Sequence, residues 1–152
     1  MKKILAVMAL FISAVLCAQE GGGTFTVAVD GFRSDNGCAI LGLLREGDKM
    51  QNDGFISKKA EIKNGRCTFA IDKLDDGVYA VKIYHDENSN GKMDMGLMKI
   101  EGIGVSRNIR LKGHPKFEEV AITVDNDHRN TAIKMQYLKL SDVIKGGIHH
   151  GN

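Results

Sequence analysis

The sequence predicts an all-β protein, a single antiparallel β-sandwich of about seven strands. Three observations predict it. Apolar residues recur with period two in almost every patterned segment, turn-forming clusters punctuate those segments, and nothing beyond residue 18 carries a sustained stripe at helical spacing.

The elements follow in order. Lys2 and Lys3, the apolar run Ile4 to Leu16 and the small-residue boundary Cys17-Ala18 read as a signal peptide over residues 1–18. The run falls short of the ~20 apolar residues that a membrane span needs. A lipid anchor on Cys17 is the rival reading, but it wants a small residue where Leu16 stands. Residues 19–140 then form the sandwich domain. Phe25, Val27 and Val29 alternate with Thr24, Thr26 and Ala28, and Cys38 to Leu44 is a nearly continuous apolar run of strand length. Cys67-Phe69-Ile71, Tyr79-Val81-Ile83, Val120-Ile122-Val124 and Ile133-Met135-Tyr137 continue the alternation. Between them stand Ser34-Asp35-Asn36-Gly37, Asn52-Asp53-Gly54, Lys63-Asn64-Gly65, Asp75-Asp76-Gly77 and Asn126-Asp127, the residue types that tight turns require. Lys58 to Ile62 is the one place where a short helical turn is expected. Residues 141–152 read as a frayed, flexible tail.

Charge narrows the partners. Without residues 1–18, Lys plus Arg falls from 21 to 19 against 19 Asp plus Glu, so the formal net charge goes from +2 to 0. No Lys/Arg cluster with interleaved aromatics remains, which argues against nucleic acid. No other apolar run approaches spanning length, so no membrane span is expected after cleavage, and the protein is expected in the periplasm or secreted. Cys38 and Cys67 remain. In an oxidising compartment an even pair invites a disulfide, which by closing a loop of about 30 residues would stabilise the fold by roughly 3 kcal/mol. Two buried free thiols are the alternative, and both readings stay open.

One run has a specific chemical reading. His85-Asp86-Glu87-Asn88-Ser89-Asn90-Gly91-Lys92-Met93-Asp94 places oxygen-bearing side chains at alternate positions, then a Gly where a loop must turn, then Asp94. Calcium takes six to eight oxygens, and a loop whose first, third and fifth positions point inward gathers three at once. The ligands expected are Asp86, Asn88, Asn90 and Asp94 through their side chains and Lys92 through its carbonyl. The twelfth position departs from the pattern, since Leu97 replaces a bidentate Glu. A strand rather than a helix precedes the loop, so this is no EF-hand. The missing carboxylate would come from Glu87 or, after a fold-back, from Glu101. The competing reading is an exposed hairpin tip at Asn90-Gly91. A plain turn needs only two such residues, and five oxygen side chains in alternation favour the ion. Two carboxylates and two amides imply an affinity on the order of 10⁻⁴ to 10⁻³ M, as in extracellular modules.

The segment Leu74 to Asp94, with its G-x-Y-A element, hydrophobic strand and H-D-x-N-x-N-G-K-x-D run, resembles an uncharacterised family of small exported bacterial proteins, domain of unknown function 2141. The likeness continues through Glu101-Gly102-Ile103-Gly104-Val105-Ser106-Arg107-Asn108, similar to an E-G-x-G-x-S-x-N run, and Pro115-Lys116-Phe117, similar to P-x-F. The resemblance implies an immunoglobulin-like or transthyretin-like sandwich and no established activity. Residues 96–100 lack the Pro usual before the family's Glu, which leaves the return of Glu101 to the loop in question.

Other chemistry is thinly supported. His114 and His128 sit in turns without spaced partners, and the adjacent His149 and His150 lie in the tail. Ser106 has no nucleophile elbow around it. Asp75-Asp76 reads as a turn former rather than an opposed carboxylate pair. Gly21-Gly22-Gly23 has no preceding strand or following helix to make a phosphate loop. Tyr79, Tyr84 and Tyr137 read as sheet packing rather than a sugar platform. The leading expectation is therefore a binding or interaction module with a calcium-stabilised loop, serving an envelope protein, a glycan or a small ligand. A metal-assisted hydrolase using the same loop with His85 and a purely structural envelope component are the alternatives.

Overall fold

A computed structural model describes residues 22–94 and 101–139. The segment read as a signal peptide, Leu97 with the rest of 96–100, and the tail with His149 and His150 lie outside the described residues.

Alternation produces the first sheet as expected. Strand β1 (Gly23–Asp30) buries Phe25, Val27 and Val29 and turns Thr24, Ala28 and Asp30 outward. It pairs on one side with β4 (Arg66–Leu74), antiparallel, and on the other with β8 (Asn130–Lys134). The β1–β8 pairing is parallel, so the expectation of a wholly antiparallel sandwich is corrected there.

The second sheet runs in the order β3 (Ile56–Ala60), β2 (Cys38–Arg45), β5 (Gly77–Asp86) and β6 (Ile103–Val105), with β7 (Ile122–Val124) paired to the start of β5. Strand β2 is buried from Ala39 to Leu44. Its continuous apolar run follows from cover on both faces. Leu41 and Leu43 join Val81 and Ile83 of β5 in a core shared with Phe25, Val27, Phe69, Ile71 and Ile133 of the first sheet. On the other face, Leu44 and Ala80 lie under Met50, Val105, Leu111, Phe117 and Val120. The protein is thus mostly β, with two packed sheets and a second apolar layer outside the larger one.

Among the described residues there are eight strands rather than about seven. The residues from Lys58 form no helical turn, because Ile56–Ala60 pairs with β2 as an edge strand. The short helix lies instead at Phe117–Val120 (α1), where Glu119 Oε2 accepts the backbone N–H of Lys116 at 2.7 Å. Val120 therefore ends a helix, and the strand expected from it begins at Ile122.

At the β4–β5 turn, Tyr79 Oη donates to the Asp75 carbonyl at 3.0 Å. This local bond is of the tyrosine-corner kind found in Greek-key sandwiches. It fixes the entry of β5, the strand whose far end carries the loop of interest.

Candidate functional site

The loop begins where β5 ends. Asp86 is the last residue of the strand, opposite Cys38 of β2, and is wholly buried. A carboxylate without water must find donors nearby. Asp86 Oδ1 accepts the backbone N–H of Asn90 at 3.0 Å, and Oδ2 accepts that of Gly91 at 2.8 Å. Folding the chain back so tightly places Ser89 (φ 58°) and Gly91 (φ 77°) in the left-handed region. Glycine is the residue that adopts this without penalty.

The amides continue the curl. Asn88 Oδ1 accepts the N–H of Asn90 at 3.0 Å, and Asn90 Oδ1 accepts the N–H of Lys92 at 2.8 Å. Both are side chain to backbone bonds two residues on, the Asx-turn pattern. The two amide nitrogens converge on one atom, Asp94 Oδ2, at 2.6 Å from Asn88 and 2.9 Å from Asn90. Four of the expected ligand side chains, Asp86, Asn88, Asn90 and Asp94, are therefore drawn into one small network. Lys92 takes part through its backbone N–H, which is not the carbonyl expected as a ligand.

Glu101 does return to the loop. It is 3 % exposed, and its carboxylate bridges the two ends, Oε1 accepting the Glu87 N–H and Oε2 the Asp94 N–H, both at 2.9 Å. Its own N–H donates to the Asp94 carbonyl at 3.1 Å. Glu87, the other carboxylate considered, is held by Arg33, whose Nε lies 2.7 Å from Glu87 Oε1. β5 pairs antiparallel with β6, so the loop lies in the connection between two neighbouring strands, with Asn88 to Asn90 exposed; the ladder resumes at Tyr84–Ile103 rather than beside Asn90-Gly91.

His85, expected to hydrogen-bond within the loop or act beside it, points into the protein. It is fully buried, edge-on to Phe32. Its Nε2 lies 2.8 Å from the Asn36 carbonyl, which can only accept, so Nε2 carries the proton. In the neutral ring Nδ1 then accepts from Tyr137 Oη at 2.8 Å. Burial pushes the Tyr137 phenol up, which keeps it a donor, and its oxygen also accepts the Arg33 N–H at 3.0 Å. Sequence reasoning missed Arg33 and Tyr137, since they lie far from the loop along the chain and show no local pattern.

Chemically the loop carries the oxygens of carboxylates and amides, but in this arrangement each amide oxygen accepts a backbone N–H and each amide nitrogen faces Asp94. Asp86 and Glu101 direct their oxygens at backbone amides, each oxygen keeping a further lone pair. Among the described residues no three His, Cys, Asp or Glu side chains gather as metal ligands do. A positive group stands close by: a Cβ built on Gly91 would lie 3.7 Å from Lys59 Nζ. Cys38 and Cys67 are free thiols, Cys38 Sγ lying 3.9 Å from Asp86 Oδ2.

The remaining candidates have structural roles. Ser106 Oγ is buried, accepts the Val81 N–H at 3.0 Å and donates to the Val120 carbonyl at 2.5 Å. Asn108 donates to the Ala132 carbonyl and accepts the Lys134 N–H, tying the turn to β8. His128 pairs with Asp125 at an exposed turn.

The fold and loop define a two-sheet β protein whose longest strand ends in a polar, self-bonded loop closed by a distant carboxylate. The chain belongs to the family described as an uncharacterized protein conserved in bacteria, DUF2141, whose sequence model matches residues 27–133. No curated protein and no solved structure matches it.

Proposed function

We propose that this protein is an exported binding or interaction module, a sandwich of immunoglobulin-like or transthyretin-like type, whose 86–94 loop is stabilised by weakly bound calcium. One observation carries the reading. Asp86, Asn88, Asn90 and Asp94 are held together by Asx turns, part-buried backbone bonds to Asp86 and an amide bond to Asp94, in the order and spacing of a calcium loop. Asp86, Asn88, Asn90 and Asp94 would hold the ion through side chains and Lys92 through its carbonyl, with Glu101 as a further ligand or as the strut behind them. The ion's contribution is charge neutralisation and rigidity at the end of the larger sheet. His85 has both nitrogens engaged, which supports binding over metal-assisted hydrolysis.

Thermal unfolding with added calcium tests this. With a dissociation constant near 1 mM, ~10 mM calcium stabilises the native state by about 1.4 kcal/mol. For a domain of this size that raises the unfolding midpoint by roughly 5 °C. Asp94→Ala should abolish the rise. A wild-type midpoint that stays fixed at that concentration overturns the assignment.

A further inference from the structure

Residues 102–117 contain Arg107, Arg110, Lys112 and Lys116 and no Asp or Glu. Without residues 1–18 the chain is formally neutral, so this stretch concentrates positive charge that the rest of the molecule balances elsewhere. All four side chains are exposed, as is His114 between them. The segment is irregular but anchored. Ile109 and Leu111 turn onto the apolar layer outside the larger sheet. Gln136 clamps the backbone there, its Oε1 accepting the Leu111 N–H at 3.1 Å and its Nε2 donating to the Ile109 carbonyl at 2.8 Å. Apolar residues point in and cations point out. Leu138 packs on the same layer, and the next residue, exposed Lys139, extends the strip.

These cations are not used in holding the fold. Arg33 is bonded to Glu87, Arg129 to Asp76 and backbone carbonyls, and Lys58 and Lys82 to backbone carbonyls. Arg107, Arg110, Lys112 and Lys116 have no side-chain ion pair or hydrogen bond among the described residues. The nearest acidic residues along the chain, Glu118 and Glu119, are also exposed, and Glu119 is engaged with the Lys116 backbone. The strip connects β6, paired with β5 at Lys82–Tyr84, to β7, paired at Gly77–Tyr79, whereas the acidic loop follows the C-terminal end of β5.

We infer that this strip is a docking surface for an anionic phospholipid bilayer. Exposed cations on an anchored segment suit a broad layer of phosphate rather than a single small anion. No Phe, Tyr or Trp is exposed along the strip and His114 is the one ring there, too little of a stacking platform to favour single-stranded nucleic acid. No exposed apolar wedge accompanies the charges, so the contact is superficial and sensitive to salt. A targeting segment at residues 1–18 would deliver the chain beside such a membrane. The inference shares only that expectation of export with the calcium reading, and its test involves no metal.

The test is co-sedimentation of the protein, recovered from a bacterial host expressing the full chain, with vesicles. One set is about one-third phosphatidylglycerol in phosphatidylcholine and the other phosphatidylcholine alone. The N-terminal segment carries Lys2 and Lys3 and is the same in every variant, so the comparison between variants, not between vesicles, removes its contribution. Binding should favour the anionic vesicles and fall steeply with salt. Each charge removed should weaken it about fivefold, so R110Q/K112Q/K116Q should lose on the order of 100-fold. The control K63Q/R66Q/K73Q, exposed on and beside β4 of the other sheet, should lose distinctly less. Far-ultraviolet dichroism confirms that both triple variants are folded. Equal binding to the two vesicle types, equal losses in the two variants, or tighter binding to a DNA oligonucleotide at the same salt would each overturn the inference.

Discussion

Glu101 is the residue on which the loop's closure depends, and its removal has a calculable cost. Its carboxylate accepts two backbone N–H groups, one at each end of the loop, while itself 3 % exposed. Glu101→Ala leaves both donors without a partner. An unsatisfied buried donor costs about 1–3 kcal/mol, and because Glu87 and Asp94 are only half-buried the lower part of that range applies to each. The total is about 2–3 kcal/mol, or a fall of roughly 8–12 °C in the unfolding midpoint for a domain of this length. Glu101→Gln is nearly isosteric, keeps one acceptor and sets an amide NH₂ against the other N–H, so about 1–2 kcal/mol is lost. The pair separates polarity from packing. Urea unfolding should show lowered midpoints with unchanged slopes, and hydrogen exchange at the Glu87 and Asp94 amides should accelerate selectively. If Glu101→Ala falls within ~0.5 kcal/mol of wild type, as surface substitutions usually do, the strut argument is refuted.

Three further outcomes follow from the same geometry. Ser106→Ala removes the acceptor of the buried Val81 N–H and should cost about 1–3 kcal/mol in chemical denaturation; a neutral result would show that water replaces the hydroxyl. Gly37→Ala should cost upward of about 2 kcal/mol in thermal unfolding, because φ is +73° and a Cβ would lie 1.9 Å from the Asp86 carbonyl oxygen; a stable variant would contradict this close approach. Burial pushes the Cys67 thiol up from 9.0 to about 12, so native alkylation near pH 8 should be suppressed on the order of 1,000-fold relative to the unfolded chain. Because the folded state favours the protonated thiol, that stabilisation is complete below pH 9 and is lost as pH rises from there toward 12. Denaturation without reductant should expose both Cys38 and Cys67 to alkylation, and finding neither modified would mean that they are bridged.

The strands that could be read were those whose side chains sort by exposure. β1 and β4 alternate because one face of each meets the shared core, and β2 is recognisable because both its faces are covered. β3 hides because Ile56-Ser57-Lys58-Lys59-Ala60 is an edge whose lysines interrupt any apolar pattern, a composition that also discourages edge-to-edge pairing. β6 is three residues around Gly104, too short to show a period. The parallel pairing of β1 with β8 was illegible for another reason. Alternation specifies which face a strand buries, whereas direction follows from where the connecting chain returns.

The loop divides in the same way, by range of interaction. The Asx turns at Asn88 and Asn90 and the cap by Asp86 span two to five residues, so spacing alone announces them. The strut from Glu101, the hold of Arg33 on Glu87 and the two partners of His85 span 14, 54, 49 and 52 residues, and no spacing rule reaches them. This division bears on what an ion would add. Asp86 is already satisfied by two backbone donors and Glu101 by two more, so the loop keeps its shape through hydrogen bonds of its own. A cation would gain only the lone pairs that remain, against Lys59 nearby. Under the proposed reading, calcium reinforces a preformed loop and does not create one, which is why a modest affinity and a shift of a few degrees are expected rather than folding that depends on the metal.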